Sequence, residues 1–142
     1  MTHNDKPELV KSVGNPITDS LKIGTLGELL VQLRLLEHNV QAAPPIKDSG
    51  NDLIAVYGET FRSIQVKTTA GRRVIGGSLP KHYHILALVY LAATDTNLML
   101  DQSRIFLIPR EVVDKNNGRI PQEFEHYELN AQHVAVLFNQ QY

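Results

Sequence analysis

The segment from Asp48 to Thr69 constrains the fold of this chain more than any other stretch of its sequence. Two runs rich in β-forming residues, 53–57 and 61–69, flank a break at Gly58-Glu59. This pattern predicts a β-hairpin. Asp52 immediately precedes the first run, so pairing of the two strands places its carboxylate beside one face of the second strand.

That face is polar, because side chains alternate along a strand and Gln65 and Lys67 point away from Ile64 and Val66. Gln65 and Lys67 lie about 7 Å apart along the strand, close enough to reach one phosphate group. Taken singly, an aspartate in a turn and polar residues on a half-buried strand are ordinary features. The coincidence of a carboxylate, an amide oxygen and an amine predicts a metal and phosphate site at the sheet edge.

A long helix is predicted before the hairpin, with an N-cap at Thr18 or Asp19 and an end near His38. Leucines recur at helical spacing on one side of it, and other apolar residues recur on a second side. A helix with two apolar sides is usually covered on both. The residues concerned are Leu26, Leu29, Leu30, Leu33 and Leu36 on the first side, and Val31 and Leu35 on the second.

Glu28 lies in this helix beside apolar neighbours, where an unpaired carboxylate is costly. Most helical glutamates are solvated, but a lysine on the sheet or a bound cation would stabilise this one. Gly24 and Gly27 each cost about 1 kcal/mol of helix propensity. Their presence predicts close approach of another backbone or of a ligand to this part of the helix.

The remaining sequence predicts a sheet around the hairpin. We expect a short edge strand at 39–43, a fully buried strand at 84–92, a strand at 105–108, a short helix from Glu111, and a last strand from Val134 to Phe138. With the first helix packed on this sheet, the fold class is α/β or α+β.

The loop at 70–84 is rich in glycine and basic side chains, which suits a surface that approaches an anion. The simpler interpretation of these side chains is that they are solvated loop charges. The six histidines of the chain show no HExxH or similar spacing, so they are not predicted to bind zinc. The candidates for contact with phosphate groups are Arg72, Arg73, Lys81 and His82.

Length and composition set broad limits. The 142 residues predict one domain, 1–142, with a flexible or helical arm at 1–16. No apolar run is long enough to span a membrane, and the N-terminus lacks the apolar core of a signal peptide, so a cytoplasmic location is expected. The absence of cysteine excludes disulfides and thiolate metal sites. A net charge of −1 means that binding to nucleic acid requires a local basic surface.

Three short motifs, taken in their order along the chain, resemble the PD-(D/E)XK nuclease superfamily. They are Gly24-x-x-Gly27-Glu28, Asp52 behind Asp48-x-Gly50, and Gln65-Val66-Lys67. The resemblance extends over about residues 24–69. It implies a restriction-endonuclease-like α/β core with a central mixed β-sheet flanked by helices, in which the N-terminal helix contains Glu28. Gln65 departs from the pattern, because this position is normally Glu or Asp, and a neutral amide oxygen binds Mg²⁺ more weakly than a carboxylate.

The resemblance also implies an activity and roles for the residues. The protein would be a Mg²⁺-dependent DNA endonuclease, with Mn²⁺ as a substitute, acting as a homodimer or homotetramer on DNA. Asp52 would be the principal metal ligand, Gln65 and a neighbouring backbone carbonyl would assist it, and Glu28 would bind a metal directly or through water. Lys67 would orient or deprotonate the attacking water and stabilise the pentavalent phosphate.

Several functions remain open at this stage. Within the class, the candidates are a homing or restriction type of endonuclease and a Holliday junction resolvase, and the Gln-x-Lys form of the motif favours the homing type by analogy. Gln65 and the near-neutral net charge also fit a catalytically inactive module that binds nucleic acid or mediates assembly. A purely structural interaction domain is the third possibility.

Overall fold

The computed structural model describes residues 14–47, 50–71, 75, 78–94 and 97–140. Within these ranges three α-helices and five β-strands follow one another along the chain. In order they are α1 (Asp19–Leu36), β1 (Gln41–Ala43), β2 (Leu53–Tyr57), β3 (Thr60–Ala70), β4 (Ile85–Leu91), β5 (Arg104–Pro109), α2 (Arg110–Lys115) and α3 (Ala131–Leu137). Short 3₁₀ turns occur at Leu100–Gln102 and Phe124–Tyr127.

The five strands form one mixed sheet in the order β1-β2-β3-β4-β5. Strand β3 pairs in parallel with β4, and the other neighbours are antiparallel. The predicted hairpin is the β2–β3 pair, and Gly58 at its turn has a φ of 58°, which a residue without a side chain adopts at no steric cost. The α/β fold with a central mixed sheet is therefore confirmed.

Helices and loops cover both faces of the sheet. On the first face, α1 and α3 pack against the inward residues of the central strands through Leu30, Val31, Leu35, Val134 and Phe138. On the second face, Tyr83, Val113 and Ile75 pack against Leu86, Leu88, Phe106 and Ile108. Strand β4 is buried on both faces from Ile85 to Val89, as its continuous apolar run predicts.

Helix α1 begins and ends close to the predicted positions. Thr18 is the N-cap, and its Oγ1 accepts a hydrogen bond of 3.3 Å from the Leu21 N–H. Gly27 is buried against β3, and a Cβ at this position would overlap the side chain of Thr68. The prediction of close approach is thus confirmed for Gly27. At Gly24 no atom of the described residues would lie within 4 Å of a Cβ, so no backbone approaches this position, and approach of a ligand stays a prediction.

The expectation that α1 is covered on more than one side is wrong within a single chain. Leu30, Val31 and Leu35 are buried against the sheet, whereas Leu29 and Leu33 on the opposite side are exposed. The sequence pattern shows which positions are apolar, but only tertiary packing decides which of them are covered.

The predicted last strand from Val134 to Phe138 is also wrong, because this segment lies in α3. Asn130 is the N-cap of α3, and its side-chain oxygen accepts a 2.8 Å hydrogen bond from the His133 N–H. Val134 and Phe138 then occupy one side of the helix at a spacing of four residues and enter the core. Capping and core contact outweigh the β-propensity of the two valines in this segment.

One sequence expectation, the N-terminal arm, concerns a part of the chain that the structure describes only in part. Of the predicted arm at 1–16, residues 1–13 lie outside the described ranges. None of the helices in the described part of the chain is long and apolar enough to cross a membrane.

Candidate active site at the open edge of strand β3

Strand β3 continues beyond the point where β2 stops. The β2–β3 pairing ends at Leu53 opposite Ile64, while β3 runs on to Ala70. The Asp52 N–H donates to the Ile64 carbonyl at 3.1 Å, and the Asp52 Oδ2 accepts from the Val66 N–H at 2.8 Å. The carboxylate of Asp52 therefore accepts the hydrogen bond that a backbone carbonyl would accept if β2 continued.

Gln65 lies at the position opposite Asp52 when the β2–β3 register is extended by one residue. Its strand neighbour is Leu86, so its side chain points to the second face of the sheet. The Oε1 atom of Gln65 is buried and has no hydrogen-bond partner among the described residues. The structure thus brings Asp52 and Gln65 together as predicted, with one amide oxygen available as a ligand.

Lys67 follows on the same face, paired with Leu88 of β4. Its side chain is half-buried and lines a cleft of about 400 Å³ together with Tyr90, Phe124 and Leu79. The ammonium group therefore projects from a part of β3 that is paired with β4 on one side and open on the other. Because the N–H and C=O of one strand residue point to the same side, the Val66 carbonyl faces the open edge beside Asp52.

Glu28 approaches this edge from α1. The preceding residue, Gly27, packs directly on Thr68 of β3. This contact holds the helical turn that contains Glu28 close to the strand. Burial raises the pKa of the Glu28 carboxyl above its ordinary value, and the negative charge of Asp52 raises it further. The two carboxylates therefore interact electrostatically, and a cation between them would stabilise both.

The donor set suits a hard divalent cation. Two carboxylates, one unpaired amide oxygen and a strand carbonyl are oxygen ligands of the kind that Mg²⁺ prefers. No cluster of three or more His, Asp or Glu side chains able to hold a metal occurs in the described ranges. The candidate site contributes two such side chains, Asp52 and Glu28, and its third side-chain donor is the amide of Gln65.

A second cleft, of about 610 Å³, adjoins the site on the side of Asn51. Ser63 and His84 form its floor, and the Ser63 N–H donates a 2.8 Å hydrogen bond to His84 Nδ1. Since a backbone N–H only donates, Nδ1 must be unprotonated, and the proton of the neutral ring is on Nε2. This fixes the His84 ring with an N–H directed away from β3.

Basic side chains surround this cleft. His82 is exposed at its rim, and the Arg110 guanidinium lies 5.5 Å from the ring centroid of Tyr83, with its Nε 3.4 Å from Asp114 Oδ2. Lys81, also exposed, precedes His82 in the chain. Of the four predicted DNA contacts, His82 lines the cleft that Asn51 also lines, Lys81 is an exposed neighbour of His82 in the chain, and Arg72 and Arg73 lie outside the described residues.

Sequence reasoning did not find the roles of Ser63, Asn51 and Arg110 in this cleft. Ser63 meets His84 only because β3 and β4 pair in parallel with Ile64 opposite Ile85. A parallel register across the connecting loop leaves no local pattern in the sequence. Asn51 Oδ1 is buried and has no hydrogen-bond partner in the described part of the chain, and its sequence signal was its position next to Asp52.

Comparison with known proteins identifies a similar fold for this chain but does not assign it to a family. No family model matches this sequence, and no curated protein matches it either. Among solved structures, the chain is similar to the bacterial homing endonuclease I-Ssp6803I, with a TM-score of 0.55 and 13% sequence identity. The alignment covers 87% of this chain and 94% of that one. At this identity the likeness establishes a shared fold.

Proposed function

We propose that this protein is a Mg²⁺-dependent DNA endonuclease of the PD-(D/E)XK type, more specifically of the homing or restriction kind. The observation that carries the proposal is the pairing of Asp52 with the buried, unpartnered Oε1 of Gln65 at the open edge of β3. The ordered sequence motifs and the fold shared with a homing endonuclease support it.

In this proposal Asp52, Glu28 and the Gln65 Oε1 hold the cation, and the Val66 carbonyl faces the same place. When bound, Mg²⁺ offsets negative charge on the phosphate and favours ionisation of an attacking water. Lys67 orients that water and stabilises the charge that develops on the phosphate. Asp52 contributes rigidity as well as charge, because its bond to Val66 fixes one of its two oxygens.

The adjoining cleft supplies the contact to the DNA backbone next to the cleaved position. His84 Nε2–H, Arg110 and His82 are donors to a phosphate there, and Lys81 extends the basic surface. Arg72 and Arg73 belong to the same proposed DNA-binding surface on the evidence of the sequence. A local basic surface of this kind is what a chain of net charge −1 requires.

The test is cleavage of supercoiled plasmid, long genomic DNA and a four-way junction with Mg²⁺, Mn²⁺ or EDTA. Wild-type protein should give products with either metal and none with EDTA. Lys67→Ala and Asp52→Asn should each lower the cleavage rate by about 10²-fold or more, since each removes a group at the reacting phosphate. Preference for the junction would identify a resolvase instead.

Lys115→Ala is the matched control, because Lys115 is an exposed lysine on α2 outside both clefts. It should cleave at the wild-type rate, and all variants should keep the far-ultraviolet circular dichroism spectrum of the wild type. Undiminished cleavage by Lys67→Ala or Asp52→Asn would show that the cleavage does not take place at the proposed site.

The second candidate is an inactive DNA-binding module with the same fold. Gln65 in place of a carboxylate favours it, because a weaker ligand set binds Mg²⁺ less tightly. This candidate predicts salt-sensitive DNA binding that does not depend on metal, and no product with any substrate. Filter binding with EDTA, run beside the cleavage assay, separates the two functions.

A further inference from the structure

The cleft of about 400 Å³ beside Lys67, on the second face of the sheet, has no part in the cation and phosphate contacts proposed above. Its volume lies within the range of small-molecule sites in proteins. The rings of Tyr90 and Phe124 line it, and both residues are half-buried. We call this space, which Lys67, Tyr90, Arg119, Gln122 and Phe124 help to line, the aromatic cleft.

Phe124 is held in place by neighbouring aromatic rings. Its centroid lies 4.9 Å from that of Phe106, which is buried, and 5.7 Å from that of Tyr90. The Arg104 guanidinium lies a further 5.0 Å from the centre of the Phe106 ring. Part of the Phe124 ring therefore packs on the core while the ring still lines the cleft. A planar apolar group can contact this surface at little cost in side-chain ordering.

The rim of the aromatic cleft is a hydrogen-bonded turn after α2. Gly118 has a φ of 73°, and its N–H donates to the Val113 carbonyl at 2.9 Å. The Asn116 side-chain amide donates to the Arg119 carbonyl at 3.0 Å. These bonds fix the backbone at Arg119, whose side chain is exposed. The rim therefore supplies a cation at a defined place.

The charge of the aromatic cleft is entirely of one sign within the described part of the chain. Lys67 and Arg119 line it, and no Asp or Glu of the described residues does. Two positive charges on one cleft stand out in a chain whose net charge is −1. The occupant that fits best is therefore an anion that also has a flat apolar part.

We propose that the aromatic cleft binds an unpaired nucleobase of the DNA strand whose phosphate lies at Lys67. Aromatic rings beside cations are the means by which proteins bind unpaired nucleotides, since every base has a face that stacks. Gln122 is exposed at the rim, and its amide both donates to and accepts from the edge of a base.

This inference narrows the substrate class of the proposed enzyme. Inside a duplex both faces of a base are covered by its neighbours, so a base reaches the cleft only after it leaves the stack. The preferred DNA is therefore single-stranded or locally unpaired next to the cleaved position. The inference rests on the proposed function, because the phosphate of the bound nucleotide is the one assigned to Lys67.

The experiment uses Phe124→Trp as a fluorescent reporter, because the chain contains no tryptophan of its own. The full-length variant is titrated in EDTA with oligothymidylate and with an abasic oligonucleotide of the same length. Oligothymidylate should quench the emission, since a base stacked on the indole quenches it, and the abasic strand should not. Tyr127→Trp is the matched control, because Tyr127 ends the same 3₁₀ turn but lies against His133, with 5.9 Å between the ring centroids. Its emission should stay constant with both strands.

Phe124→Leu measures how much the ring contributes to affinity, because leucine keeps the apolar bulk and removes the stacking face. Its dissociation constant for oligothymidylate should be about 5- to 100-fold higher than that of the wild type. The constant for the abasic strand should not change, and the variant should keep the far-ultraviolet circular dichroism spectrum of the wild type.

Constant emission of Phe124→Trp, or equal quenching by the two strands, would overturn the proposal. An unchanged constant of Phe124→Leu for oligothymidylate would overturn it as well. EDTA separates these measurements from cleavage. Stacking in a protein that cleaves no DNA would refute only the proposed endonuclease, and cleavage by a wild type whose reporter variant shows no stacking would refute only the base site.

Discussion

At the scale of single residues, Asp52 has a structural role besides its proposed chemical one. Its carboxylate satisfies the Val66 N–H at the place where β2 no longer supplies a partner. A buried N–H without a partner costs free energy, so removal of the side chain weakens β3 as well as the site. Asp52→Asn is therefore a better test of chemistry than Asp52→Ala, because the amide oxygen still accepts this bond.

Gln65 offers the clearest test of the proposed metal site at this scale. Gln65→Glu should lower the dissociation constant for Mg²⁺ by about tenfold or more, because a carboxylate oxygen is a stronger ligand than an amide oxygen. In the absence of metal the same variant should melt at a lower temperature, since three carboxylates then lie close together. Isothermal titration calorimetry and thermal melts with and without Mg²⁺ measure both effects.

Gln102→Glu is the control for added charge, because Gln102 is exposed on a 3₁₀ turn. It should change neither the Mg²⁺ affinity nor the metal dependence of melting. Equal affinities for wild type and Gln65→Glu would show that this residue does not contact the cation.

At the scale of secondary-structure elements, the contact of α1 with β3 positions Glu28. Gly27→Ala should lower the free energy of unfolding by about 1–3 kcal/mol, because the new methyl group overlaps Thr68. Gly24→Ala in the same helix should raise it by roughly 0.5–1 kcal/mol, because no atom lies near that position and alanine favours the helix. Chemical denaturation of the two variants measures the difference, and equal effects would contradict the close contact.

The link between β5 and the segment after the second 3₁₀ turn predicts a dependence on pH. Arg104 donates two hydrogen bonds of 3.0 Å to the Glu128 carboxylate and lowers the pKa of this group below its ordinary value of 4.5. A lowered pKa in the folded state stabilises the protein above the unfolded value, and this stability is lost as pH falls through the folded value. Both side chains are partly exposed, so the contribution is at most about 1 kcal/mol.

Glu128→Gln should accordingly lower the free energy of unfolding at pH 7 and match the wild type well below pH 4.5. Urea denaturation at several pH values measures this convergence. Glu111→Gln is the control, because Glu111 is exposed and has no ion-pair partner in the described part of the chain. A difference between wild type and Glu128→Gln that persists at low pH would contradict the assigned cause.

At the scale of the whole molecule, the proposed binding to DNA depends on where the charges lie rather than on the net charge of the chain. Arg110→Gln should weaken DNA binding at low salt and reduce the slope of log K against log salt concentration by about 1, because one phosphate contact is lost. Lys115→Gln, one turn further along α2, should leave the slope unchanged. Binding measured in a salt series without metal gives both slopes, and equal slopes would exclude the cleft as a phosphate site.

The sequence predicts best those features that depend on residues close together along the chain. Asp52 and Gln65 are close along the chain and meet across a two-residue turn, so alternation along the strands suffices to place them together. The buried strand β4 and the short helix α2 were predicted for a similar reason, because a continuous apolar run and a proline mark them.

Features that depend on distant contacts could not be predicted in the same way. The meeting of Ser63 with His84 requires the parallel register of β3 and β4. The helical state of Val134 to Phe138 requires the cap at Asn130 and the core that Phe138 enters. The exposure of Leu29 and Leu33 follows from which side of α1 the sheet covers, and both sides are apolar in the sequence.

The bond between Asp52 and Val66 gives this protein a built-in spectroscopic reporter. The chemical shift of an amide proton depends on the charge of the group that accepts it, and here the acceptor is the proposed principal metal ligand. In a ¹⁵N-correlated NMR spectrum, the Val66 resonance will therefore move when the carboxylate of Asp52 shares its charge with a cation. Titration of that single peak follows occupancy of the site directly, with no DNA substrate and no turnover.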